Sequence, residues 1–268
     1  MASEAKVDPL SSAVDGTARR LRRGVEDLGS TVQLGLFIPV MAFRRPFRPR
    51  ILLEQLEAVG NGSLFIVAIT GFFVGAVLCL QGLRAFGLFN AQSMVGATVE
   101  LSLARELAPV FAGLMLTART GSAIATELGT MRVTEQIDAL ETMAVDSRQY
   151  LIMPRVLAGL AMLPVLTVIF NVVAMFGAYL VAMAAGLSGA EFQGQIARLT
   201  DLSDILNGLV KAGIFGYVVC LIACVRGYHA EGGAAGVGNA TTRAVVGGSI
   251  TILALDYCIG ALYQVLGW

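Results

Sequence analysis

Apolar residues in this chain gather into five long runs, at about 64–82, 107–125, 156–185, 205–225 and 244–266, with short polar segments between them. A helix rises 1.5 Å per residue, so roughly 20 mainly apolar residues cross a hydrocarbon core of ~30 Å, and every run meets that length. A sixth apolar stretch, 31–43, reads TVQLGLFIPVMAF and has arginine-rich flanks, RRLRR before it and RRPFRPR after it. It would reach only roughly 20 Å as a helix, which suits an interfacial or elbow helix lying at the membrane face. The pattern predicts an all-α integral membrane protein divided into an N-terminal extension (1–30), an interfacial or elbow region (31–63) and a five-helix membrane domain (64–268).

The junction between the second and third runs departs from a plain anchor. From 105 to 154 the chain opens on Arg105-Glu106, crosses an apolar run and continues into a charged segment before Pro154 begins the third run. Over about 127–146 there is no proline and one glycine, so one helix is predicted there. Val133, Ile137, Leu140 and Ala144 recur at helical spacing as one apolar stripe, with Glu135, Asp138 and Thr142 opposite. An interfacial helix resting on anionic lipid carries lysine and arginine on its polar face. Acids there favour a protein partner.

Composition fits this picture: 56% of the 268 residues are hydrophobic, 14% are charged and mean hydropathy is +0.74. The net charge is zero, so only the distribution of charge is informative. Lys6, Arg19, Arg20, Arg22, Arg23, Arg44, Arg45, Arg48 and Arg50 all precede the first span, and the loops around Arg132/Arg148/Arg155 and Arg226/Arg243 are the richer ones. Basic loops stay on the cytoplasmic side, which predicts an inward N-terminus, an outward C-terminus and no nucleic-acid partner. The first 30 residues contain no apolar core segment, so a cleavable signal peptide is not expected.

Ionisable groups at membrane depth are costly and line cavities or pair with one another. Arg105 and Glu106 open the second span, Lys211 sits in the fourth and Asp256 in the fifth, and the alternating topology places all four in the outer half. Helix packing and ligand handling are both open as their role. Phe86 and Phe89, with Leu78 just before them, lie in an outer segment that borders an apolar chamber or anchors the interface. Glycine pairs such as Gly71/Gly75 and Gly213/Gly216 are spaced for close helix contact, and self-association is one use for them.

Several chemistries are not expected. Cys79, Cys220, Cys224 and Cys258 lie in apolar runs without a Cys-x-x-Cys pair, and His229 is the single histidine, so neither a metal site nor a catalytic constellation is predicted. The only lysines, Lys6 and Lys211, have no phosphate-loop context, so ATP hydrolysis is not expected here.

The motifs RELAP at 105–109, ARTGSAIATELGTMRVTEQIDALETMAVD, YLIMPRVLAG, LPVLTVIF, GYHAEGGAAGVGNATTRAVV and ALDY together resemble the permease family of MCE-associated ABC transporters, the MlaE/YrbE type. The resemblance covers roughly 51–266. It implies a homodimeric, multi-pass permease of the bacterial inner membrane that moves phospholipid or a related lipid between inner and outer membranes. The implied partners are a cytoplasmic ABC ATPase, which binds the ATP and magnesium, a periplasmic MCE-domain protein, a small STAS-domain protein and membrane lipids. No cofactor is implied for this chain. By the same resemblance Arg105, Glu106, Lys211 and Asp256 belong to a lipid-pocket polar network, with Leu78, Phe86, Phe89 and Leu107 as apolar lining. Glu127, Arg132, Glu135, Gln136, Asp138 and Glu141 belong to a helix that couples to the ATPase. A permease for another hydrophobic solute, such as a sterol, fatty acid or organic solvent, and a scaffold without a transport path are the alternatives.

Overall fold

A computed structural model of the chain describes residues 29, 31–41 and 48–266. Nearly all of the extension 1–30, with its arginine cluster, lies outside the described residues. Helix α1 (Thr31–Met41) belongs to one unit, Met1–Arg45, and the remaining elements to a second, Pro46–Trp268. At 11 residues α1 is roughly 16 Å long, too short to cross a bilayer.

Five helical segments of the second unit are long and apolar enough to cross a membrane: Pro49–Gly87 (α2), Gln92–Val133, Arg148–Ala184, Leu202–Tyr228 (α10) and Gly233–Val265. There is no strand among the described residues. The second span contains α3 (Val95–Ser102), α4 (Ala108–Leu116) and α5 (Ser122–Val133), and the third contains α7 (Met153–Ala184). Short helices α6 (Gln136–Thr142), α8 (Gly189–Gly194) and α9 (Ile196–Leu199) fill the connections, and the last span is α11 (Gly233–Leu266). Turns 88–91 and 185–201 therefore share one end of the bundle, and 134–147 and 229–232 share the other.

The spans are longer than their apolar runs. Helix α2 begins at Pro49, 15 residues before the predicted start, because 49–63 is helix-forming and carries an exposed Arg50–Glu54 pair at i,i+4 (3.2 Å). Hydropathy registers only the part of a helix that lipid would surround. The second span likewise starts near Gln92, so Arg105 and Glu106 stand inside it and not at its opening.

Wide π turns replace the α pattern at Leu103–Leu107 and Arg148–Ile152. Each ends two residues before a proline, Pro109 or Pro154, that has no N–H to donate and whose ring crowds the carbonyl four residues back. A third π turn lies at Thr117–Gly121.

The predicted single helix over 127–146 is two helices. The chain leaves α5 at Thr134, and Glu135 takes a left-handed backbone (φ 60°) before α6 starts; Ala144 is left-handed again (φ 59°). The stripe divides accordingly: Ile137 is fully buried and Leu140 half-buried, while Val133 and Ala144 are exposed.

Close packing of α2 on α7 rests on glycine. A Cβ on Gly71 or Gly75 would strike the backbone of Phe170 or Ala174, and one on Gly177 would strike Phe72. Gly216 and Gly159 face each other across the α7–α10 crossing in the same way. These small-residue faces are thus consumed within one chain. Helix α10 is the most enclosed span and α11 the least, at 67% and 11% buried in their apolar windows. We expect Gly75→Ala to destabilise the detergent-solubilised protein by about 1–3 kcal/mol through overpacking. Gly62→Ala, with nothing within 4 Å of its Cβ, should leave the thermal midpoint unchanged or slightly raised.

Candidate functional site

Helix α10 carries the deepest charge of the described residues. Lys211 is 1% exposed, and its Nζ donates to Glu106 Oε2 at 2.5 Å and to Asp256 Oδ1 at 3.3 Å. The second, fourth and fifth spans thus meet at one ammonium group. An isolated buried ammonium would carry a large desolvation cost, so two carboxylates around it are the expected compensation.

The backbone around this cluster is built for close approach. A Cβ on Gly208 would strike the Ala104 carbonyl and touch Pro109, so glycine lets α10 lie against the π turn that presents Arg105 and Glu106. Arg105 pairs outside the Lys211 cluster. Its Nε donates to Asp204 Oδ1 at 2.6 Å, in a pair where the Asp204 side chain is 7% exposed. Asp204 Oδ2 also accepts from the Asp201 N–H at 3.0 Å, closing the first turn of α10. One carboxylate therefore caps the helix and fixes the arginine.

A cavity of about 330 Å³ opens beside these pairs, lined by Arg105, Glu106, Asn207, Lys211, Gly260, Tyr263 and Gln264. Tyr263 turns its ring toward Lys211, whose Nζ lies 5.9 Å from the centroid. Three of the four predicted polar residues therefore line one cavity, and Asp256 stands behind Lys211. None of Leu78, Phe86, Phe89 and Leu107 is among its lining residues. Phe89 is 79% exposed at the turn after α2, and the other three are half-buried.

Sequence reasoning missed Asp204, Asn207 and Tyr263. Asp204 opens a helix and Tyr263 ends one, positions where an acid and an aromatic are ordinary. A second missed polar pair joins Asn171 Nδ2 of α7 to the buried Glu100 Oε1 at 2.9 Å.

The six predicted coupling residues lie at the opposite end of the bundle, and most are engaged within the chain. Glu127 Oε1 accepts from the buried Arg155 at 2.7 Å, tying α5 to α7. Arg132 pairs with Asp138 at 2.6 Å across the break before α6, and Gln136 donates to Thr134 Oγ1. Glu141 Oε1 accepts from Tyr228 Oη at 2.8 Å and from Ser147 Oγ at 2.9 Å, and those two hydroxyls are themselves 2.8 Å apart. Glu135 is exposed on the break itself.

Comparison with known proteins adds the family. The sequence model of the family described as Permease MlaE matches residues 52–262. A "Probable ABC transporter permease protein" of Rickettsia bellii is 40% identical over 255 residues, covering 95% of this chain and 98% of that protein. The "Intermembrane phospholipid transport system permease protein MlaE" of Haemophilus influenzae is 39% identical over 214 residues, covering 79% and 82%. "Protein TRIGALACTOSYLDIACYLGLYCEROL 1, chloroplastic" of Arabidopsis thaliana is 35% identical over 237 residues, covering 85% and 68%.

The Tyr228 hydroxyl, followed by that of Ser147, holds the Glu141 carboxyl below the usual carboxylate range. A group depressed on folding contributes stability that is complete above its unfolded value, about 4.3 for glutamate, and is lost as pH falls through its folded value. Amide exchange in α6, corrected for intrinsic rates, should stay constant from about pH 8 to 5 and accelerate only below about pH 4. Tyr228→Phe should move that onset to higher pH.

Proposed function

Because this chain belongs to the MlaE permease family, we propose that it is the membrane-spanning subunit of an ABC transporter that moves phospholipid or a related lipid between inner and outer membranes. The observation that carries this reading is Lys211, held by Glu106 and Asp256 from two other spans at the edge of a cavity. Intramembrane charge of that kind is retained where it handles a polar ligand group. At about 330 Å³ the cavity is at the small end of ligand pockets, a size that suits a headgroup. Arg105 and Glu106 at the rim keep partly exposed side chains, 42% and 47%, so charges of both signs are presented to a headgroup. Acyl chains would then lie along α11, whose Leu253, Tyr257 and Leu262 are exposed.

The chain is proposed to sit in a bacterial inner membrane with its N-terminus inward, so that the cavity faces the outer leaflet and α6 the cytoplasm. A homodimer sets two such cavities side by side. The lysines, Lys6 and Lys211, fit no phosphate loop, so the energy comes from a separate ATPase that binds ATP and magnesium and docks at α5–α6. A periplasmic MCE-domain protein receives or delivers the lipid, with a small STAS-domain protein as a further subunit.

Two expectations test this. Lys211→Ala and Glu106→Gln should each lower ATP-dependent lipid transfer by roughly tenfold or more while protein abundance falls far less; transfer that merely tracks abundance would make the cluster structural. Glu135→Lys, which breaks no internal contact of the described residues, should reduce co-purification of the ATPase by about tenfold without changing membrane insertion. Mass spectrometry of lipid bound to the purified complex identifies the cargo and separates a lipid permease from an empty scaffold.

A further inference from the structure

One side-chain cluster at the 134–147 end, built around Tyr228, lies far from the Lys211 cavity, yet it grips the helix that carries Lys211. Tyr228 is the last residue of α10 and is 8% exposed; its hydroxyl and the buried Ser147 hydroxyl both donate to the Glu141 carboxylate, at 2.8 and 2.9 Å, and stand 2.8 Å from each other. The Arg132 guanidinium stands 5.9 Å from the Tyr228 ring centroid and is itself held by Asp138. Both Glu141 and Asp138 belong to α6, so this seven-residue helix is fastened directly to the end of α10 by Glu141 and, through Asp138, to Arg132 of α5 beside the Tyr228 ring.

Helix α6 has few other fixings. Ile137 is its only fully buried side chain, and both ends turn through left-handed non-glycine residues, Glu135 and Ala144. Such conformations cost of order 1–3 kcal/mol each and persist where surrounding contacts impose them. The two positions mark where the chain enters and leaves α6, and the Tyr228 hydroxyl is the contact between them that ties α6 to a span. Helix α10 continues without proline or π turn from Leu202 to Tyr228, whereas the second span has two π turns and the third has Pro164. Lys211 stands 17 residues from Tyr228, roughly 25 Å along one straight helix.

We propose that Tyr228, with Glu141 and Ser147, is a positioning latch that makes α10 the rod transmitting movement of α6 to Lys211. Displacing α6 pulls on the Tyr228 hydroxyl, α10 shifts as a unit, and the Lys211 ion pairs with Glu106 and Asp256 open or tighten at the cavity. This rests on the reading above that α6 faces the ATPase and the cavity faces lipid.

The test uses the complete complex with its ATPase, as wild type and as Tyr228→Phe, Glu141→Ala, Glu141→Gln and the Tyr228→Phe/Glu141→Ala double variant. The readouts are ATPase recovery, basal ATP hydrolysis, ATP-dependent lipid transfer and nucleotide-dependent amide exchange over 202–211. Tyr228→Phe should keep ATPase recovery and basal hydrolysis within about twofold, lower transfer by about tenfold and abolish the exchange change, since coupling energies are worth roughly 5–150-fold; Glu141→Ala should abolish the exchange change as well. The double variant should be no worse than the poorer single one, and Glu141→Gln, whose amide oxygen still accepts from both hydroxyls, should stay near wild type. Wild-type transfer and exchange in Tyr228→Phe would overturn the latch, as would parallel loss of ATPase recovery, which would make Tyr228 part of the docking face. A wild-type complex that shows the exchange change but moves no lipid would sink the lipid reading and leave the latch standing.

Discussion

A single ammonium group inside a helical bundle organises much of this protein. Lys211 is buried on the most enclosed span, and an ammonium there is tolerated only with counter-charges in contact. Supplying them brings a glutamate from the second span and an aspartate from the fifth to the same point. That requirement fixes the rotation of three helices about their axes. It also explains why glycine is needed at 208, where any larger residue would push α10 away from the π turn bearing Glu106.

The π turns and the glycines act together. A membrane helix that loses a hydrogen bond to proline must satisfy the freed carbonyl locally, and widening the turn is one solution. Before Pro109 the widened turn holds the two charged residues of the cavity rim; before Pro154 it leads into the third span, next to Arg155 and its tie to Glu127. In both places the irregularity sits where a polar side chain must be aimed inward. Glycine faces meanwhile bring α2, α7 and α10 to backbone contact, giving these charges a rigid surround.

The two ends of the bundle differ in how they are held. Around the cavity, charges of opposite sign meet in partly buried pairs, and Asp204 serves both its helix and Arg105. At the other end, hydroxyls and exposed ion pairs hold a short helix of little burial.

Length and hydropathy determined the five spans, because crossing lipid requires runs of apolar residues that no other architecture of this size needs. Spacing along the chain also flagged Arg105, Glu106, Lys211 and Asp256, since charge in an apolar run is conspicuous without any structure. Partner choice was not legible. That Arg105 turns to Asp204, that Glu127 reaches Arg155, and that Leu78, Phe86, Phe89 and Leu107 do not line the cavity all depend on helix rotation and crossing, which hydropathy does not encode. The break at Glu135 was equally hidden, because 127–146 is helix-compatible throughout and tertiary contacts, among them burial of Ile137, the Arg132–Asp138 pair and the grip of Tyr228 on Glu141, hold the chain in two pieces. Sequence thus set which residues cross the membrane and which are out of place in it, and the tertiary structure alone decided which of them meet.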